Sequence, residues 1–133
     1  MSEAVQERLT GAEDVVWDLS VFYAGLDDPQ IDADIEKLKG LVDEFQERWR
    51  GAVSRMSADD FVAAYKALET IYDLRGRLGA FAFLNFSTDT GDAAFQAAVA
   101  RIEELEASLS QKLVFFDLEW NALGDDAAAA ILA

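Results

Sequence analysis

Apolar residues recur along this chain at alternating gaps of three and four, and that period constrains the fold more than any other feature. Ile31, Ile35, Leu38, Val42, Phe45 and Trp49 follow one another at spacings of 4, 3, 4, 3 and 4. Such spacing puts all six on one side of a helix and turns that side toward a neighbour lying nearly parallel or antiparallel to it. Asp28 precedes this helix as a candidate N-cap, Pro29 occupies the first helical position where its missing N–H costs nothing, and Gly51 closes the element.

The pattern returns twice more. Ser57 and Asp60 form an S-x-x-D capping arrangement, and Met56 and Phe61 flank it as a hydrophobic staple. The face that follows reads Phe61, Tyr65, Leu68, Ile71/Tyr72, Leu74 and Leu78, and resumes as Phe81, Phe83, Leu84 and Phe86. Gly76 and Gly79 interrupt it, each weakening a helix by ~1 kcal/mol relative to Ala, so a bend or a close helix contact is expected there. Ser87-Thr88-Asp89-Thr90-Gly91-Asp92 is a turn rich in N-cap residues.

A third helix, about 92–123 and expected to be the longest, carries Phe95, Val99, Ile102, Leu105, Leu109, Leu113, Phe116, Trp120 and Leu123 on one side. Arg101, Glu103, Glu104, Glu106, Gln111 and Lys112 lie opposite. At ~1.5 Å per residue it spans ~48 Å, which implies an elongated bundle or a rod leaning on something else. Gly124-Asp125-Asp126 stops it and caps a last helix through Ala133 that has no C-terminal stop signal, as in a chain cut from a longer one.

The expected fold is therefore all-α: an elongated antiparallel bundle of three long helices, with a short N-terminal segment and a truncated C-terminal helix, in one domain over 1–133. Met1 to Gly11 reads as a frayed lead-in, and Trp17, Leu19, Phe22 and Tyr23 as anchors pinning an extended segment onto the helices.

Charge and composition then exclude function classes. With 11 basic and 26 acidic residues the formal net charge is −15, the opposite of a nucleic-acid footprint and unfavourable at anionic membranes. The start lacks the basic-then-apolar layout of a signal peptide, and no apolar run approaches the ~20 residues of a membrane span, so the expected location is the cytoplasm. Cys and His are both absent. Disulfides, Cys–His and Ser-His-Asp catalysis, and zinc sites built on imidazole or thiolate are excluded with them. No phosphate-binding G-x-x-x-x-G-K-[ST] loop or G-x-G-x-x-G run is present around Gly76-Arg77-Leu78-Gly79.

Carboxylate pairs remain as candidates: Asp27/Asp28, Asp59/Asp60, Glu103/Glu104 and Asp125/Asp126. Adjacent residues on a helix do not face each other, and three of these pairs fall at helix starts, where free N–H groups and the helix dipole favour anions. Capping or solvation is the favoured reading over catalysis. The Asp89-Thr90-Gly91-Asp92 turn lacks the spaced ligands and distal Glu of a calcium loop. Trp17, Trp49 and Trp120 could stack on a ligand, but aromatics at core-facing positions usually pack. No catalytic, cofactor-binding or metal residue is assigned, and no substrate-binding residue is identifiable.

Four segments carry a family resemblance. Trp17-Asp18-Leu19-Ser20-Val21-Phe22-Tyr23 resembles the W-D-L-S-x-L-Y segment near the start of oligoendopeptidase F-like zinc metallopeptidases, which are related to thimet oligopeptidase. Asp27-Asp28-Pro29 before a long helix is similar to the same family. So are Arg77-Leu78-Gly79-Ala80-Phe81-Ala82-Phe83-Leu84 followed by Thr88-Asp89-Thr90, and Leu113-Val114-Phe115-Phe116-Asp117-Leu118-Glu119-Trp120.

The resemblance implies the N-terminal helical lobe of a peptide hydrolase. That lobe helps wall the substrate channel and is inactive alone. The family's zinc sits on an H-E-x-x-H helix with a downstream Glu, in a C-terminal catalytic domain, and this chain has no such motif. By the same implication the partner is that catalytic domain in the same polypeptide, peptides bind only the intact enzyme, and the isolated lobe, with apolar surface bared, could form a homodimer. The alternative is a free-standing acidic helical module for protein interaction or self-association.

Overall fold

A computed structural model of the protein describes residues 21–133. The expected readings for Met1 to Gly11, Trp17 and Leu19 lie outside the described residues. Every regular element among the described residues is helical: α1 (Pro29–Trp49), a 3-10 turn (Val53–Arg55), α2 (Ala58–Thr88), α3 (Ala93–Asn121) and α4 (Asp125–Leu132).

The helix starts follow the local chemistry. Asp28 accepts a hydrogen bond from Gln30 N at 2.9 Å, and Pro29 opens α1. Ser57 and Asp60 form a reciprocal capping box at α2, each side chain accepting the other's backbone N–H at 3.1 Å. Asp92 caps α3 through Ala94 N and Phe95 N. At α4 the cap is Gly124, with no side-chain bond, so Asp125 and Asp126 occupy the first turn. Before α1, Phe22 and Tyr23 lie in a turn-rich approach rather than in an extended segment.

Gly51 is the one glycine among the described residues in the left-handed region, at φ +77°. A residue with Cβ is strained there, and the bend it permits brings Gly51 N within 3.0 Å of Glu119 Oε2 on α3.

The structure corrects the sequence reading of α2. At 31 residues it, and not the 29-residue α3, is the longest helix, and it runs unbroken through Gly76 and Gly79. A Cβ at Gly76 would meet nothing within 4 Å, and one at Gly79 would make an ordinary 3.6 Å contact with Glu106 Oε1. Neither glycine is demanded by crowding. Packing against α1 and α3 holds the helical register at a local cost of ~1 kcal/mol per glycine.

Short connections reverse the chain direction at each turn. Phe61 lies against Trp120, with ring centroids 4.9 Å apart, whereas Arg75 reaches Ser110; α2 and α3 are thus antiparallel. Lys37 of α1 shares a crevice with Arg77 of α2, and Trp49 shares another with Ala67. Between α1 and α3 the ion pairs Asp32–Arg101 and Asp43–Lys112 keep a constant offset of 69 residues, so these two helices are parallel.

The core joins α1, α2 and α3, and Ile131 of α4 packs into it. Leu38, Val42, Val53, Ile71 and Leu109 are fully buried, and each such side chain contributes roughly 1.5–3 kcal/mol through apolar burial. At one end Phe45, Phe61, Phe115, Phe116 and Trp120 interlock, with Phe45–Phe116 centroids at 5.6 Å. At the other, Tyr23 meets Phe81 edge-on at 5.0 Å. The α1 stripe is buried as read, with Ile31 half-buried. On α2 the burial differs: Ala64, Leu68, Ile71, Leu78, Phe81 and Ala82 face inward, while Tyr65, Tyr72 and Phe83 are exposed. No helix among the described residues is long and apolar enough to cross a membrane.

Candidate functional site

Asp34, 6% exposed, is the one buried charged side chain among the described residues. It sits on the second turn of α1, on the side that carries Leu38 four residues later. Tyr23 Oη donates to Asp34 Oδ2 at 2.6 Å, and Gln30 Nε2 donates to Oδ1 at 2.7 Å. The Arg77 guanidinium lies 5.3 Å from the Tyr23 ring centre and donates to the Phe22 carbonyl at 3.1 Å.

Burial, then the hydrogen bond to Asp34, pushes the Tyr23 hydroxyl well above the ordinary tyrosine range. The hydroxyl therefore stays protonated and donating. Both carboxylate oxygens of Asp34 are occupied, and no buried side-chain N or O among the described residues lacks a partner. This buried carboxylate, with Arg77 on the Phe22 carbonyl, fastens the approach to α1 onto α1 and α2. At 6% exposure it presents little surface to a substrate.

Beside this fastening, a cleft of about 330 Å³ opens between α1, α2 and α3. Leu26, Ile31, Leu78, Phe81 and Ile102 form its apolar walls, and alanines of α3 line one side. Its one charged lining residue, Arg101, is engaged by Asp32 at 2.6 Å. Such a recess can hold an apolar group; it offers no nucleophile or proton-transfer group.

The acidic pairs are dispersed along the chain. Asp28 accepts from Ala24 N and Gln30 N, and these backbone donors, Ala24 first, hold its carboxyl below the ordinary range. Asp60 belongs to the capping box, while Asp27, Asp59, Glu103, Glu104, Asp125 and Asp126 are exposed. Asp89 accepts from Gly91 N at 3.1 Å, and Asp92 caps α3, so the turn between α2 and α3 spends its carboxylates on backbone N–H groups. Among the described residues no three potential ligands converge as a metal site would require.

Trp49 is buried under the Arg48 guanidinium, and Trp120 packs on Phe61, while Trp17 lies outside the described residues. Sequence pattern alone does not single out the Tyr23–Asp34 pair. A signal was available: Asp34 falls at a three-four position between Ile31 and Leu38, on the face the neighbouring apolar residues turn inward.

The third feature is an exposed face along α2 and α3. Tyr65, Tyr72 and Phe83 are 48%, 55% and 42% exposed, and Val114 and Leu118 of α3 are exposed as well. No known protein family, no curated protein and no solved structure matches the chain.

Proposed function

We propose that the chain is the N-terminal helical lobe of an oligoendopeptidase F-type peptidase, contributing channel wall rather than bond-breaking groups. The observation that carries this reading is the ordered run of four sequence segments that resemble that family. Within them, Phe81, Ala82, Leu113, Phe115 and Phe116 are buried, so the segments supply the packing that a lobe of this kind needs. In this reading the three helices form an elongated bundle, the cytoplasm is the setting, and α4 leads toward a C-terminal catalytic domain.

The family's zinc does not fit the residues present here. With no His and no Cys the chain cannot offer imidazole or thiolate ligands, and hydrolysis would belong to the part of the protein bearing H-E-x-x-H. The coding sequence beyond Ala133 tests the proposal. A reading frame that continues into H-E-x-x-H supports it, and a stop codon there sinks it. Chelator-sensitive cleavage of short peptides by the purified chain would also overturn it.

The exposed Tyr65, Tyr72 and Phe83 favour a second reading, a free-standing acidic interaction module. Large contiguous exposed apolar patches commonly mark interaction sites, and these side chains share one side of α2.

A further inference from the structure

Tyr65, Tyr72 and Phe83 are separated by seven and eleven residues. At ~100° per residue each step returns the side chain to within ~20° of the same direction, and at ~1.5 Å per residue the row extends ~27 Å along α2. Between Tyr72 and Phe83 lies Gly76, which has open space for at least 4 Å beyond its Cα substituent position. The row is thus a pair of aromatic ridges with a saddle between them, long enough to receive about five turns of another helix. Val114 of α3 shares a crevice with Tyr72 and extends the apolar surface sideways.

Charge decides what fits. Glu69 stands one turn from both Tyr65 and Tyr72, Glu106 Oε1 lies 3.6 Å from where a Cβ on Gly79 would stand, and Asp117 lines the Tyr72 crevice. Against these three acids the crevice offers Arg75, whose guanidinium already lies 5.7 Å from the Tyr72 ring centre. A second copy of this chain would bring another formal charge of −15 to an acidic border, and like charges held together at an interface oppose association. An anionic lipid surface is repelled for the same reason.

We propose that this α2–α3 face docks a basic amphipathic helix, its apolar residues seated across the Gly76 saddle and its Lys or Arg residues paired with Glu69, Glu106 and Asp117. The proposal rests on the face alone and holds whether or not the chain belongs to a peptidase.

The test uses the full chain and three fluorescein-labelled synthetic peptides of 21 residues. One carries Leu at three-four spacing with Lys on both flanks, one is the same composition scrambled, and one has Glu in place of Lys. Fluorescence anisotropy at physiological ionic strength is expected to show the amphipathic basic peptide binding at least about tenfold more tightly than the others, and Y72S/F83S to weaken it by about tenfold or more, as removal of central aromatic anchors does.

Because both residues are exposed, the variant should keep the helical circular dichroism of the parent. G76W provides an independent block, since it fills the saddle without removing either aromatic. Equal binding of the scrambled peptide would overturn the proposal in favour of bulk charge attraction. So would undiminished binding by both Y72S/F83S and G76W. A wild-type dimer by light scattering that Y72S/F83S converts to monomer would assign the face to a second copy instead.

Discussion

Replacing Tyr23 by Phe removes one hydroxyl and leaves the aromatic contact intact, because the ring still meets Phe81 edge-on at 5.0 Å. What is lost is the 2.6 Å bond to Asp34, whose carboxylate is 6% exposed and keeps only Gln30 as a side-chain donor. A hydrogen bond to a charged group contributes about 1.5–3 kcal/mol, so Tyr23→Phe should destabilise the chain by about 2 kcal/mol. With a urea dependence of about 2 kcal/mol/M, the unfolding midpoint followed at 222 nm falls by about 1 M at unchanged slope.

A double-mutant cycle isolates the pair. In an Asp34→Leu background the same Tyr23→Phe change should cost well under 1 kcal/mol, because no buried carboxylate is left short of a donor. The pH dependence adds a second readout. Folding raises the Tyr23 pKa above the value of ~10 in an unfolded chain, so its stabilisation is complete below pH 10 and is lost as pH rises beyond it. Tyr23→Phe removes that alkaline loss. An equal penalty in both backgrounds, or a change below about 0.5 kcal/mol in the parent, would refute the view that Asp34 is held by Tyr23.

Leu38→Ala, at a fully buried position between α1 and its neighbours, should cost about 3 kcal/mol by equilibrium unfolding, and a loss under 1 kcal/mol would contradict the packing described. Asp28 has its carboxyl held low by backbone N–H groups, so its capping contribution is present above the ordinary carboxylate pKa and is lost as pH falls through the folded value. Asp28→Ala should therefore flatten the acid limb of the stability profile, and an unchanged limb would exclude Asp28 as a contributor to it.

Much of the fold is legible in residue order. The α1 stripe is read correctly because its period of about 3.5 residues leaves only one face to bury, and Ser57-x-x-Asp60, Asp28-Pro29 and Asp92 announce helix starts through side chains that satisfy local backbone donors. The candidate site is much less legible. Asp34 differs from any solvated Asp only because Tyr23, eleven residues earlier in the chain, folds back onto it.

Local chemistry by itself determined that these residues are helical, where the helices begin and that residues 1–133 supply no imidazole or thiolate. Tertiary structure decided which apolar residues count as core. Ala64, Ala82 and Gly79 are buried on α2 while Tyr65, Tyr72 and Phe83 stay exposed, since burial depends on which side α1 and α3 occupy. Periodicity records how apolar a face is, and only the arrangement of neighbouring helices determines whether anything covers it.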